Sequence, residues 1–348
     1  MRISSDVKID FEDVLITPKR SSISSRSEVN LIRSFKMGDQ IPLKGIGICA
    51  SNMHTTGSFE MAEAMSQHYM FCALSKHYTV KEYVDFYNTK CISHSVFFTV
   101  GMSKKDRKTY KDVYESSSVK PKMLCIDIAN GYSQKFLDEV KYYRDTFPDI
   151  IILAGNVATP EMTEALILGG ANIVKIGIGS GANCLTREVT GVGFPQFSAI
   201  LECSDAAHGL NGHIMSDGGC KRIGDICKAM GGGADLVMLG GMLAAHDECN
   251  GARERDGEIC YEHYGMSSDK AMKDHGIGKK HYRASEGRET VLPARGPVSH
   301  LLMEIAGGLR SCCSYIGAKN IKDMPKCASF VRCNAHSQLN MSLSNFTT

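Results

Sequence analysis

Short apolar runs recur along the chain, each followed by turn-forming residues. There are eight of them, over residues 44–50, 68–74, 95–100, 122–128, 150–155, 172–178, 212–217 and 234–240. A short run without polar alternation is typical of a strand that is buried on both faces of a parallel sheet. The pattern therefore predicts eight buried parallel strands.

Segments with helical periodicity separate these runs. Apolar residues three and four positions apart predict helices over 58–67, 81–88, 133–147, 159–170, 195–209, 222–233 and 300–310. The helix over 159–170 should begin with Thr159 as its N-cap and Pro160 at its first helical position. Strands and helices that alternate about every 20–40 residues predict an α/β protein built as a (β/α)8 TIM barrel. A doubly wound open sheet is the alternative for the same pattern.

One connection in this pattern is unusually long. Residues 242–299 lie between the eighth strand and the last helix, and long connections in a compact domain are usually functional. We expect a single barrel domain over 1–348, with an N-terminal arm over 1–43 and an active-site loop or flap over 242–299. No second domain and no regulatory insert are predicted.

Composition narrows the class of protein. The chain has 348 residues, is 43% hydrophobic and 22% charged, and carries a formal charge of +2, which predicts neither a nucleic-acid nor a membrane surface. No apolar stretch reaches the ~18 residues that a membrane span needs. The 14 cysteines include no Cys-x-x-Cys pair and follow no signal-peptide pattern. We therefore expect free thiols and a cytoplasmic location.

Polar residues and glycines follow several of the predicted strands. In a barrel the active site lies at the carboxyl ends of the strands, where this sequence has Asn52, Lys76, Asp127, Asn130 and Asn156. Two glycine pairs, Gly218-Gly219 after Asp217 and Gly240-Gly241, follow the last two strands. Backbone N–H groups of such turns can bind an anion, so the pairs predict a phosphate site, with tight strand-to-helix turns as the alternative.

Cys184 lies in a glycine-rich stretch, 177–196, that follows the sixth predicted strand. This position places the thiol over the predicted barrel mouth, beside the phosphate site. Backbone N–H dipoles can stabilise a thiolate there, and glycines allow a substrate to approach closely. Cys184 is therefore a candidate nucleophile, and a buried structural thiol is the alternative.

Most of the chain resembles the family of IMP dehydrogenases and GMP reductases, and especially its reductases. The similarity runs from residues 10–29 to 328–332 and includes "CIDIANGYS" (125–133), "LAGNVATPEM" (153–162), "VMLGGMLAAH" (237–246) and "YRASEG" (282–287). The resemblance implies NADPH-dependent reductive deamination of GMP to IMP and ammonia through a cysteine thioimidate, a step of purine salvage. It also implies a homotetramer in which a neighbouring subunit completes the cofactor site.

The resemblance also implies roles for individual residues. The catalytic positions are Cys184, Thr186 and Glu286. The substrate positions are Asp217, Gly218, Gly219, Gly240, Gly241, Gly265, Met266, Ser267, Arg283, Ser285 and Gly287. The cofactor positions are Ser25, Arg26, Lys76, Asp127, Ile128, Ala129, Ile178, Gly179, Met266, Tyr282, Arg283, Ser311, Cys312, Cys313 and Ser314. A K⁺ ion would bind the carbonyls of Gly179, Gly181, Cys184 and Arg187.

Two alternatives stay open at this point. The segment Ser180-Gly181-Ala182-Asn183 resembles the dehydrogenase branch, which favours an IMP dehydrogenase-like oxidoreductase. His54 and Ser75 stand where the family has other residues, which favours a purine-nucleotide-binding homologue with weakened catalysis. Turnover of GMP with NADPH, compared with reduction of NAD⁺ by IMP, distinguishes these possibilities.

Overall fold

Eight parallel strands close into a barrel in the computed structural model, which describes residues 3–255, 257–265, 268 and 285–333. Strands β4 to β11, as numbered below, form this barrel, which confirms the eight predicted strands and excludes the open sheet. In chain order the strands are β1 (Val14–Ile16), β2 (Arg33–Met37), β3 (Gln40–Gly45), β4 (Ile48–Ala50), β5 (Phe71–Ala73), β6 (Val96–Val100), β7 (Met123–Asp127), β8 (Ile151–Val157), β9 (Ile173–Ile176), β10 (His213–Asp217), β11 (Leu236–Leu239), β12 (Ala252–Arg255), β13 (Glu258–Tyr264), β14 (Glu289–Pro293) and β15 (Phe330–Arg332).

Helices surround the barrel and include all seven that the periodicity predicts. They are α1 (Phe59–Gln67), α2 (Val80–Thr89), α3 (Lys104–Ser116), α4 (Gln134–Thr146), α5 (Pro160–Leu168), α6 (Thr186–Thr190), α7 (Gln196–Gly209), α8 (Ile223–Gly231), α9 (Ser299–Ile316) and α10 (Met324–Cys327). Short 3-10 helices cover Phe11–Asp13, Arg26–Glu28, Ser93–Ser95 and Ile321–Asp323. None of the helices in the described part of the chain is both long and apolar enough to cross a membrane.

The last long helix extends beyond its predicted end at residue 310. Gly307 and Gly308 lie within α9, as predicted, and the helix continues to Ile316. A Cβ atom at Gly308 would lie 2.4 Å from Ile223 Cγ2, so this glycine allows α9 to pack closely on α8. The predicted end was too early, because the helix is capped by Gly317, whose φ of 77° is in the left-handed region that favours glycine.

The long connection over 242–299 is partly a sheet, which the sequence pattern did not predict. Strands β12, β13 and β14 form a three-stranded antiparallel sheet. All four residues of β12 are exposed, so the alternation of apolar and polar residues that marks a half-buried strand is missing. The predicted 44–50 run is also divided, because β3 ends at Gly45 and β4 begins at Ile48.

A hairpin of β2 and β3 closes the amino-terminal end of the barrel. Its side chains Phe35, Met37 and Leu43 are buried in one cluster with barrel residues such as Phe97 and Leu153. Burial of such apolar side chains stabilises the hairpin by about 1.5–3 kcal/mol each. Since side chains fill this end of the barrel, we expect the active site at the carboxyl ends of the strands.

Candidate active site

Charged and amide side chains meet at the carboxyl ends of the barrel strands. Lys175 of β9 points inward, where its Nζ contacts Asp127 Oδ1 and lies 3.2 Å from Asp217 Oδ2. Asn52 Nδ2 donates a hydrogen bond to Asp127 at 2.9 Å, and Asn156 Nδ2 donates one to Asp217 at 2.8 Å. Two of the predicted site carboxylates are therefore fixed in position by one buried network.

Electrostatics keeps this network charged. Burial works against the charged forms, but the Lys175 ammonium outweighs it and holds the pKa of Asp127 below its usual value. Burial likewise opposes the charge of Lys175, yet Asp127 and Asp217 raise the pKa of its ammonium well above the usual range. The sequence analysis did not single out Lys175. A lone lysine within the apolar run 172–178 is the signal that could have identified it, because a buried charge needs a partner.

The three predicted catalytic side chains form one continuous contact. The thiol of Cys184 lies 3.2 Å from Thr186 Oγ1, which donates a hydrogen bond to Glu286 Oε2 at 2.6 Å. All three residues are partly buried, and Thr186 begins α6. Thr186 and Glu286 are 100 positions apart in the chain. Their contact forms a path along which a proton can pass from the Glu286 carboxyl group to a group bound next to the Cys184 sulfur.

Backbone pairing holds Glu286 at the cysteine loop. Leu185 N donates to Glu286 O at 2.8 Å, and Arg288 N donates to Asn183 O at 2.9 Å. Cys184 and Gly287 are paired in an isolated antiparallel bridge. The two segments therefore run side by side, which fixes the Glu286 carboxylate over α6.

Both predicted phosphate-binding glycine pairs lie against the cysteine loop. Gly218 and Gly219 have φ of 91° and 83°, in the left-handed region that favours glycine. A Cβ atom at Gly218 would lie 2.8 Å from Gly181 N, and one at Gly241 would lie 3.6 Å from Ala182 Cβ. The structure therefore brings the two pairs together, and their role in binding phosphate stays a prediction.

A cation that the sequence analysis missed lies beside the second glycine pair. Arg295 Nη1 is 3.4 Å from Gly241 O. Burial and the charge of Arg295 together lower the pKa of His263 to about 4, so this buried imidazole is neutral at pH 7. Arg295 comes before α9 in a segment without helical or strand periodicity, so its proximity to Gly241 depends on the tertiary fold.

The other substrate positions divide into described and undescribed residues. A Cβ atom at Gly265 would lie 2.9 Å from Gly287 Cα and 3.0 Å from Asn183 O, so both glycines allow close packing of backbone segments at the cysteine loop. Ser285 directly precedes Glu286. The predicted substrate positions Met266, Ser267 and Arg283, and the predicted cofactor position Tyr282, lie outside the described residues.

A cavity of about 440 Å³ opens beside Cys184. Gly179, Gly181 and Gly219 are among the residues that line it. Within the described part of the chain, the buried atoms Asn183 Nδ2 and Asn156 Oδ1 have no hydrogen-bond partner. Neither asparagine lines this cavity, but Asn183 directly precedes Cys184 and Asn156 donates to Asp217, so both lie at the candidate site, and buried polar atoms are rarely left unpaired.

The predicted cofactor residues form two groups. The first surrounds the barrel mouth, where Ile128 and Ala129 follow β7, Ile178 and Gly179 follow β9, and Lys76 contributes to the lowered pKa of Asp127. An ammonium beside partly exposed backbone suits an anionic dinucleotide. These residues therefore fit the cofactor that the resemblance implies.

The second group of cofactor residues lies on the outer side, where the N-terminal arm runs along α9. Lys19 N donates to Tyr315 O at 2.9 Å, and the short helix Arg26–Glu28 packs against α9, the helix that contains Ser311–Ser314. Cys313 is fully buried, so its side chain faces the core, and its role at the cofactor stays a prediction.

In the loop predicted to bind K⁺, two of the four carbonyl oxygens already accept backbone hydrogen bonds. Gly181 O accepts from Cys184 N at 3.0 Å, and Arg187 O accepts from Gly191 N at 3.1 Å. Each carbonyl keeps a second lone pair for an ion. A Cβ atom at Gly179 would lie 2.6 Å from Arg187 Cγ, so the arginine side chain lies along this loop. Cation binding stays a prediction.

Comparisons with known proteins identify the family of this chain. The family model described as IMP dehydrogenase / GMP reductase domain matches residues 8–342. The chain is 49% identical to GMP reductase 1 of Mus musculus and 50% identical to GMP reductase of Tolumonas auensis, in each case over 95% of this chain and 96% of the relative. A crystal structure of a Trypanosoma brucei GMP reductase variant in complex with guanosine 5′-monophosphate superposes with a TM-score of 0.86 at 25% identity, covering 97% of this chain and 98% of that one. The chain therefore belongs to the IMP dehydrogenase / GMP reductase family.

Proposed function

We propose that this chain is a GMP reductase, which converts GMP, NADPH and two protons to IMP, ammonium and NADP⁺. The observation that carries the proposal is the contact from Cys184 through Thr186 to Glu286, with distances of 3.2 Å and 2.6 Å. The names of the relatives, which are GMP reductases at about half identity over nearly the whole chain, support the same activity.

The first half of the reaction removes the amino group from guanine C2. Cys184 reacts as a thiolate and forms the S–C2 bond, while N3 takes up a proton. An amide anion cannot leave, so the amino nitrogen must be protonated before its bond to C2 breaks. Thr186 lies next to the sulfur that is bonded to C2, and its hydroxyl can pass a proton held by Glu286 to that nitrogen. Ammonia departs with the electron pair of its bond to C2, N3 gives up the proton it took up, and a neutral thioimidate is left on Cys184.

The second half releases IMP from Cys184. NADPH, when bound, supplies a hydride to C2. The electron pair of the S–C2 bond returns to Cys184, which takes up a proton from solvent and is again a thiol. The cysteine loop contributes backbone N–H groups that stabilise the thiolate in both steps. Lys175 holds Asp127 and Asp217 in place around the bound purine nucleotide.

Binding is divided between the two sides of the barrel mouth. The turns at Gly218-Gly219 and Gly240-Gly241, with Arg295 beside the second, would hold the phosphate of GMP. Lys76 and the backbone of Ile128 and Ala129 would hold NADPH. The Ser311–Ser314 segment would also contact NADPH, and Ser25 and Arg26 would complete the cofactor site of a neighbouring subunit in a homotetramer. We further propose a cytoplasmic location and K⁺ at the cysteine loop.

The assay that tests the function follows nicotinamide absorbance. We expect NADPH to be consumed only when GMP is present, with IMP and ammonia formed in equal amounts. The matched control supplies IMP and NAD⁺ to the same preparation. Sustained formation of NADH and xanthosine monophosphate in that control would instead identify an IMP dehydrogenase, and tight GMP binding without turnover would identify a catalytically weakened homologue.

The proposed phosphate site leads to a separate prediction about how much the enzyme depends on the phosphate group of its substrate. Guanosine lacks the anion for the two glycine turns, and hydrogen bonds to charged groups contribute about 1.5–3 kcal/mol each. We expect kcat/KM for guanosine to be at least about 100-fold below that for GMP, measured by NADPH consumption. Equal efficiency for the nucleoside and the nucleotide would contradict the phosphate site.

A further inference from the structure

A second cluster of chemically capable side chains lies at the opposite end of the barrel. His208 is in the last turn of α7, His213 begins β10, and Asp235 directly precedes β11. One ligand atom from each of the three lies within 4.8 Å of the other two. The amino ends of the barrel strands hold this cluster, so it is separate from the proposed active site.

The two ring nitrogens of His213 have different neighbours. His213 Nε2 lies 2.7 Å from Lys36 O, and because a carbonyl only accepts, Nε2 must carry a proton. The other nitrogen, Nδ1, is buried and lies 3.2 Å from Asp235 Oδ1. Nδ1 and the carboxylate oxygen therefore lie close enough together to bind one ion.

The same bond to Lys36 O is the one that metal-binding histidines commonly make. A ligating imidazole usually donates its other N–H to a carbonyl or carboxylate, which fixes its tautomer and its orientation. Asp235 is likewise held by neighbours, since Ile214 N donates to Oδ2 at 3.0 Å and Arg33 Nη2 to Oδ1 at 2.5 Å. The cluster thus has supporting contacts around its ligand atoms.

Distances and access also suit a small divalent ion. His208 Nε2 lies 2.8 Å from Asp235 Oδ2, and the His208 side chain is 43% exposed. Tetrahedral zinc with ligand bonds of about 2.0–2.2 Å needs ligand atoms roughly 3.3–3.5 Å apart. The observed separations, 2.8 Å for His208 Nε2 to Asp235 Oδ2 and at most 4.8 Å within the cluster, lie on either side of this value, so His208 would have to shift, which an exposed side chain at a helix end can do.

The charges around the cluster favour a cation. Asp235 and Asp205 are the two carboxylates whose charges act on His208. The carboxyl end of α7 adds a negative partial charge at His208. Arg33 is the opposing cation, and with neutral imidazoles the two carboxylates and Arg33 together carry one net negative charge.

We propose that His208, His213 and Asp235 bind one Zn²⁺ ion, with water as the fourth ligand. Two imidazoles and a carboxylate are a ligand set that zinc commonly takes. The ion joins α7, β10 and β11 to the β2–β3 hairpin through Lys36 O and Arg33. It stabilises the closed end of the barrel and takes no part in the proposed reaction.

Cobalt binding tests the site, because cobalt(II) reports its ligands by its visible spectrum. The full chain, freed of metal by a chelator, should bind one Co²⁺ with tetrahedral d–d bands and no sulfur-to-cobalt band, and Zn²⁺ should displace it. His208→Asn and His213→Gln should each weaken binding by at least about tenfold, since loss of even an outer-shell contact typically costs that much. Zn²⁺ should raise the Tm of the unchanged chain and not that of the variants.

The control is His300→Asn, which changes an exposed histidine on α9 and should leave cobalt affinity unchanged. Circular dichroism of each metal-free variant establishes that it is folded; should His213→Gln not fold, His208→Asn at the exposed position decides the test. Unchanged affinity in the folded variants, a sulfur-to-cobalt band that indicates a thiol site, or no cobalt binding would each overturn the proposal.

Discussion

Replacing the nucleophile, Cys184→Ala, should reduce kcat for GMP reduction by at least about 10⁴-fold, because no other group can form the S–C2 bond. GMP should still bind with a Kd within about threefold of the unchanged chain, since the phosphate and base contacts come from other residues. Steady-state NADPH consumption measures the first effect and calorimetric titration of GMP the second. Loss of turnover with retained binding identifies a group that acts in the chemical step.

Cys91→Ala is the matched control for this experiment. Cys91 is also a free cysteine but is exposed, at the end of α2, away from the barrel mouth. Its replacement should leave both kcat and the Kd for GMP unchanged. If Cys184→Ala kept more than about a hundredth of the turnover, the thioimidate route would have to be abandoned.

The barrel strands could be predicted from sequence because both of their faces are buried. A strand such as β6, whose five residues are all buried, appears in the sequence as a short apolar run, and such a run occurs eight times along the chain. The position of Cys184 then followed from strand order alone, since the carboxyl ends of the barrel strands lie at one end. The local sequence pattern was therefore sufficient to predict an element wherever burial determined which residues the element contains.

Exposed and tertiary features could not be predicted in this way. Strand β12 is exposed at every residue, and α3 buries only Tyr110 and Val113 of its 13 residues, so neither has a strong apolar pattern. The contact between Thr186 and Glu286 depends on backbone pairing between segments 100 residues apart. Family resemblance suggested that pair, whereas nothing in the residues near either of them indicates that they meet.

Changing the proton donor, Glu286→Gln, should separate the two halves of the reaction. Glutamine is nearly isosteric, so GMP should remain bound, but it cannot supply the proton that lets ammonia leave. General acid catalysis typically contributes about 10²–10⁴-fold, and GMP reduction should slow by that factor. The hydride half, run in reverse with IMP and NADP⁺, needs no ammonia. A stoichiometric burst of NADPH should therefore survive, at a rate within about tenfold of the unchanged chain.

Stopped-flow absorbance measures the burst, and steady-state NADPH consumption measures the full reaction. Glu289→Gln is the matched control, because it changes an exposed carboxylate three residues further along on β14, and both rates should stay within about twofold. Equal loss of the burst and of turnover in a folded Glu286→Gln variant would assign Glu286 to binding or structure. A slower steady-state rate with a preserved burst is the result that agrees with a proton passing from Glu286 through Thr186. That path protonates the departing nitrogen and has no part in the transfer of hydride.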